Sequence, residues 1–229
     1  HLSLRRQRQM CIRDSKEVGR VIARSIQAAV PSGNYAIIKG DKGDPNALFL
    51  LEGMMDVIGA DVESGKIKIV GEAFTDGWKP DNAQKNMEQI LTANNNNVDA
   101  VMSENDGMAG GAIAALQAQG MNIPVSGQDG DHAALNRVAR GTQNTSVWKD
   151  ARQLGAAAGN IAAALADGVD MSAIEGAVKW SGGAKGVEMD AIFLAPTPID
   201  KTNINVVIEA GHIAKAKVCE GAMAGVNGC

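Results

Sequence analysis

Aromatic residues are scarce in this chain: they make up 3% of its 229 residues, with three Trp, one Tyr and three Phe. Any core must therefore be built from aliphatic side chains, and each Trp needs its own explanation. No uninterrupted apolar run is long enough to span a bilayer as a helix. No block of like charge and no low-complexity tract marks a disordered tail. The formal net charge of −4 argues against nucleic acid as the main partner, because that binding is driven by clustered Lys and Arg. Hydrophobic residues reach 45%, so a chain of this length has ample core for one large domain or two lobes.

Signatures of catalysis are missing too. Ser126, Asp129 and His132 lie close in sequence, but His132 opens a helix beside Asp131 and no nucleophile-elbow pattern surrounds the serine. His132 and His212 are isolated from each other and from the later cysteines, so no metal cluster is spelled out. Ser181-Gly182-Gly183-Ala184-Lys185-Gly186 lacks the glycine and Lys-Ser/Thr spacing of a P-loop, and Trp180 beside it reads as structural. The chain reads as a non-enzyme with no cofactor and no metal.

Cysteine is sparse as well, three in all. Cys11 lies in the first fifteen residues, HLSLRRQRQMCIRDS, which crowd Arg5, Arg6, Arg8 and Arg13 unlike anything downstream. Arg5 to Ser15 looks like a translated sequencing-library adapter, so residues 1–15 are expected to be a non-native artefact. With Asp14 that segment carries a net +3, which leaves the remainder near −7. Cys219 and Cys229 then share a Gly- and Ala-rich tail. They read as a disulfide of an oxidising compartment, which would give about 2–3 kcal/mol, mostly to the tail. Two unrelated free thiols are the alternative.

What is present is a rhythm. Lys16 to Val30 has a helical stripe of Val18, Val21, Ile22 and Ile26. Tyr35 to Ile38 is a buried strand, and a helix follows with Leu48, Leu51, Met55 and Ile58 at helical spacing. Lys66 to Ala73, Ala100 to Met102, Ile123 to Ser126 and Gln143 to Trp148 are further strands. Between them run helices from Pro80, from Met108 and over Ala133 to Arg140. This alternation predicts an α/β fold with a doubly wound parallel sheet. A long Ala-rich helix, Ala151 to Ala166, an irregular stretch from Gly168 to Lys185, a strand Asp190 to Leu194 and a helix near Asn203 to Ala210 complete the chain.

In such sheets ligands sit at the carboxyl ends of the strands. Those ends carry Asp44 and Asn46, Trp78, Asn105 and Asp106, Gln128 and Asp129, and Trp148 and Lys149. Carboxylates beside amides and an ammonium suit a polyhydroxylated neutral ligand, whose hydroxyls both donate and accept. An indole suits the C–H face of a pyranose. Taken singly each has an ordinary reading. Asp44 and Asp129 could be helix N-caps, Asn105-Asp106 a turn with Asp106 capping the helix, Lys149 a solvated charge, and Trp78 packing between loops. Five such ends in one sheet point together to a binding cleft, with Asn105 the favoured direct contact.

Asp76-Gly77-Trp78, the run Leu91 to Asn96, Asn105-Asp106 with Ala109 to Ile113, Ser126-Gly127-Gln128-Asp129, and Gly141-Thr142-Gln143 with Lys149 follow one another as in the D-xylose-binding branch of the type I periplasmic-binding-protein family. The resemblance runs from about Lys16 to His212. It implies a two-lobed periplasmic receptor that closes on D-xylose or a similar monosaccharide and delivers it to an ABC importer permease with its ATPase. The sugar contacts it implies are Asp44, Asn46, Asn105, Asp129 and Lys149, with Trp78 as the stacking aromatic. Trp148 departs from the Tyr often found before the lysine. The resemblance also implies one complete lobe over residues 16–147, a remnant of the N-terminal lobe over 148–187, and a return crossing with the disulfide tail over 188–229. The rest of the N-terminal lobe and a signal peptide would precede residue 16. A monomer that binds xylose poorly by itself is expected. The effector domain of a LacI-type sugar-responsive repressor shares the fold and is the principal alternative; a sugar-metabolising enzyme on a similar sheet is a more distant one.

Overall fold

In a computed structural model the described residues are 2–181 and 186–229, with side chains described from Ser15 onward. Helix α1 (Leu2–Ala29) leads into β1 (Gly33–Lys39), α2 (Pro45–Glu63) and β2 (Ile67–Phe74). Next come α3 (Pro80–Ala93), β3 (Ala100–Ser103), α4 (Asp106–Ala118), β4 (Ser126–Gln128), α5 (His132–Ala139) and β5 (Thr145–Trp148). Strands pair in parallel as β2-β1-β3 and as β4-β5, and a parallel bridge from Val101 to Val125 joins the two groups. The order β2-β1-β3-β4-β5 is that of a doubly wound sheet, with its switch point between β1 and β3.

Side-chain alternation along β1 sorts the core into two layers. Tyr35 and Ile37 face α1 and α2, packing with Val18, Ile22, Ile26, Leu50 and Met54. Ala36 and Ile38 face α3 and α4, packing with Met87, Leu91, Met108 and Ile113. The buried stripe of α2 is Ala47, Leu50, Met54 and Ile58, one position off the expected Leu48, Leu51 and Met55. Leu48 is 47% exposed. The run Leu48 to Met55 is apolar on several sides, and packing against α1 rather than spacing selects the face.

The remaining elements are α6 (Ala151–Ala166), β6 (Val178–Trp180), β7 (Met189–Ala191), β8 (Thr197–Ile199), α7 (Asn205–Glu209) and α8 (Lys215–Val218). No residue of α6 is buried. The stretch expected to be irregular holds β6, paired antiparallel with β7, and Trp180 stands on that strand with its ring edge to Phe193. Residues 182–185, within the glycine-rich run weighed as a P-loop, lie outside the described residues. Thr197-Pro198-Ile199, expected to be a connection, is β8. It runs antiparallel along β5, and Ile199 sits in a third core cluster with Leu135, Val138 and Val218. Trp148 is the last residue of β5, where the strand expected over Gln143 to Trp148 also ends, and it belongs to that cluster. Among the described residues no helix is long and apolar enough to cross a membrane.

Candidate functional site

The carboxyl ends of β1 to β5 meet in one layer, and a buried carboxylate ties three of them together. Asp106 is fully buried. Its Oδ2 accepts from the backbone N–H groups of Gly130 and Asp131, each at 3.0 Å, and from Ser146 Oγ at 2.6 Å. Its Oδ1 accepts from Gln143 Nε2 at 2.8 Å. Burial pushes the Asp106 carboxyl up to about 7, against the pull of Ser146, Asp131 and Gln143 and with the Asp129 charge adding to the rise. The cap of α4 is Asn105, whose Oδ1 accepts from Met108 N at 2.8 Å. The expectation that Asp106 caps the helix is therefore corrected. An Asn in the half-in position reaches the orphan N–H groups of the first turn, while the residue after it is turned inward. Asn105 keeps its amide Nδ2 as the donor for anything lying over the strand ends.

Asp44 is the N-cap of α2, accepting from Asn46 N at 2.9 Å, and Asn46 Oδ1 accepts from Ser15 Oγ at 3.0 Å. Both residues are half-buried. Trp78 is half-buried too and touches both sheet-face cores. Its ring lies flat on Gly40, where a Cβ would come within 2.1 Å of the indole. Asp41 fixes that corner by accepting from Gly43 N and Gly77 N at 2.7 and 2.6 Å. At the far side Lys149 Nζ stands 3.8 Å from Asp129 Oδ1. The protein surrounding Asp129 raises its carboxyl; Lys149 opposes that and Asp131 adds to it. Solvent reaches 44% of the side chain and screens the effect. Asp129 caps no helix, since the residue preceding α5 is Asp131.

One residue that nothing in the sequence singles out, Glu104, and one strand-end residue that the sequence does single out, Trp148, belong to the same layer. Glu104 is fully buried, its Oε2 accepting from Gly40 N at 2.6 Å and its Oε1 without a protein partner. Burial pushes it up to about 8; the Gly40 N–H and Lys39 oppose the rise and Asp44 adds to it. Trp148 is buried with its Nε1 unpartnered, its ring against His212 at 5.2 Å. Gln128 Oε1 is the third such atom. Among the described residues, the buried side-chain polar atoms lacking a protein partner all lie at the carboxyl ends of β3, β4 and β5. Buried polar groups are ordinarily satisfied, so this concentration marks the layer as one built for more than packing. Among those residues no group of three or more His, Cys, Asp or Glu could hold a metal. Away from the layer, Cys219 and Cys229 are joined by a disulfide with Cα atoms 5.4 Å apart.

A model of the periplasmic binding protein domain matches residues 12–170, more than half of the chain. The chain belongs to the periplasmic-binding-protein family. It is 42% identical over 201 residues to the D-xylose-binding periplasmic protein of Escherichia coli, covering 86% of this chain and 59% of that one. It is 41% identical over 208 residues to the protein of the same name from Haemophilus influenzae, covering 90% and 61%. This periplasmic-binding-protein chain thus spans about three fifths of the length of the curated relatives it matches. Among solved structures, a solute-binding protein of an ABC transporter from Clostridium phytofermentans with bound β-D-glucose superposes with a TM-score of 0.77. Its identity is 26%, over 90% of this chain and 68% of that one. A carbohydrate transporter solute-binding protein from Chloroflexus aurantiacus shares the fold at a TM-score of 0.78 and 23% identity, over 89% and 67%.

Proposed function

We propose that this chain is part of a receptor that captures D-xylose, or a similar monosaccharide, in the periplasm and hands it to an ABC importer permease with its ATPase. Asp44, Asn46, Asn105, Asp129 and Lys149 supply the polar contacts, and Trp78 supplies the apolar wall. The observation that carries this reading is the strand-end layer, where acceptor carboxylates, an amide donor, an ammonium and a half-buried indole stand beside the unpartnered atoms of Glu104, Gln128 and Trp148. Two relatives above 40% identity, both D-xylose-binding by name, support the choice of sugar. The receptor binds and releases and makes or breaks no bond. Closing a second lobe over the sugar would expel water and strengthen every hydrogen bond in the cleft.

Since the chain spans 59% of its relative from E. coli, affinity in the millimolar range, worth about −4 kcal/mol, is expected for it alone. Titration of the isotope-labelled chain with D-xylose, followed by NMR, should move the amides around Asp44, Asn105, Asp129 and Lys149, and Trp78→Ala should abolish the response. Unchanged spectra at saturating sugar, or shifts confined to the opposite ends of the strands, would overturn the reading. Micromolar affinity by calorimetry would overturn the expectation that this chain binds xylose poorly by itself.

A further inference from the structure

Asp129 stands one residue past β4 at φ 106°, outside even the left-handed region that Asn95 and Asn96 use at φ 49° and 60°. A non-glycine residue keeps such a conformation only where its surroundings over-determine it. The surroundings here grip the peptide units on both sides of it. Asp129 N donates to Val147 O at 3.0 Å. The N–H of the following Gly130 is shared between Asp106 Oδ2 at 3.0 Å and Ser146 Oγ at 3.1 Å. The carbonyl of Gly130 is taken by His212 Nε2 at 2.7 Å, from a residue 82 positions away in the turn between α7 and α8.

A carbonyl oxygen can only accept, so Nε2 of His212 carries a proton. His212 is itself held. Its backbone carbonyl accepts from His132 Nε2 at 2.9 Å, the His132 ring stands edge-on at 5.3 Å, and the Trp148 ring lies tilted against it at 5.2 Å. The two histidines that look isolated in the sequence thus form one relay from α5, through the C-terminal segment, to the loop after β4.

We propose that His212 is a positioning residue that aims Asp129 into the strand-end layer, with His132 as its support. This inference rests on the reading of Asp129 as a sugar contact. Residues 205–229, remote in sequence from the candidate contacts, are in this view part of the binding apparatus. The two peptide planes that follow Asp129 are the point of control: Asp106 Oδ2 holds the N–H of the first at Gly130, and the second is held at both ends, its Gly130 carbonyl by His212 and its Asp131 N–H by the same Oδ2 at 3.0 Å, so the direction of the Asp129 side chain is fixed.

The test uses the isotope-labelled full chain and NMR. In the unaltered protein, the nitrogen shifts of His212 should report the Nε2–H tautomer. In His212→Ala, the HN–Hα coupling of Asp129 should lose its value for positive φ, and exchange of amide protons in the loop 129–131 should rise about tenfold or more. His212→Gln, whose side-chain amide reaches the same carbonyl, should restore both, and His132→Ala should give a smaller change of the same sign. Where D-xylose moves the Asp129 amide of the unaltered chain, His212→Ala should reduce that response and His212→Gln restore it. An Nδ1–H tautomer, or an unchanged coupling and unchanged exchange in His212→Ala, overturns the proposal even if that variant binds sugar normally. If His212→Ala does not fold, the tautomer and the His212→Gln and His132→Ala variants decide. A chain in which the couplings behave as expected but xylose moves no amide keeps the clamp and refutes the sugar site.

Discussion

At the residue scale, two fully buried acids near the strand ends set the behaviour of the site. Glu104 has one oxygen on Gly40 N and one without a protein partner, and in the folded chain its carboxyl is pushed up to about 8 from an ordinary value of 4.5. A raised acid means that the folded state holds its proton longer than the unfolded state does. Its contribution to stability is therefore complete below 4.5 and is lost as pH rises towards 8. The unfolding free energy from urea titrations should fall across that window, by at most about 1.4 kcal/mol per pH unit for one group. Glu104→Gln should cut the fall to about half, leaving the comparable part that Asp106, raised from 3.8 to about 7, contributes in the same direction; an identical pH profile in that variant would refute the assignment. Asp106 satisfies four donors; in Asp106→Ala the Gly130 N–H keeps Ser146 Oγ and Gln143 Nε2 keeps the Thr145 carbonyl, while Ser146 Oγ and the Asp131 N–H lose their acceptor. Denaturation should show a loss of about 3–5 kcal/mol, and a loss under about 1 kcal/mol would mean that the network carries little. Sequence reasoning found Asp106 as a polar strand end but misassigned it, because cap and hub are adjacent residues of similar chemistry. It could not see Glu104, since nothing local distinguishes a buried Glu from a solvated one.

At the element scale, α1 and α2 approach so closely that a Cβ on Gly53 would lie 1.9 Å from the Lys16 carbonyl oxygen. Ala would gain helix propensity, up to about 1 kcal/mol, but backbone cannot yield as a side chain can. Gly53→Ala should therefore lower stability by about 1–3 kcal/mol, measured by thermal or urea unfolding, and a stabilised variant would show that the helices can separate freely. The five parallel strands and the helices between them were legible because each helix is long and periodic and each strand is a short apolar run bounded by turn residues. The stripe of α2 was not, because Leu48 to Met55 offers more than one apolar face. β8 was hidden by Pro196 and Pro198, which argue against a strand anywhere but at an edge. The Asp129 conformation and its histidine support come from contacts between residues 82 positions apart, which no local pattern contains.

At the scale of the whole molecule, packing is uneven. Helices α3 and α4 bury Met87, Ile90, Leu91, Met108, Ile113 and Leu116, whereas α6 buries nothing. Hydrogen exchange should accordingly proceed faster in Ala151–Ala166 than in α3 or α4, and equal protection would imply that α6 is covered in solution. The grouping of polar residues at five strand ends was visible in the sequence as a collective property, while the antiparallel C-terminal strand was not. That strand also bears on how the protein is made. β8 lies along the outer side of β5, and Pro198 faces Val147 with no N–H to offer a further neighbour. Until residues 197–199 have left the ribosome, β5 presents an open edge, and the nascent sheet can recruit strands from other polypeptides. A segment synthesised after the five parallel strands thus covers that edge against aggregation, and chains cut short before β8 should be the ones most dependent on chaperones.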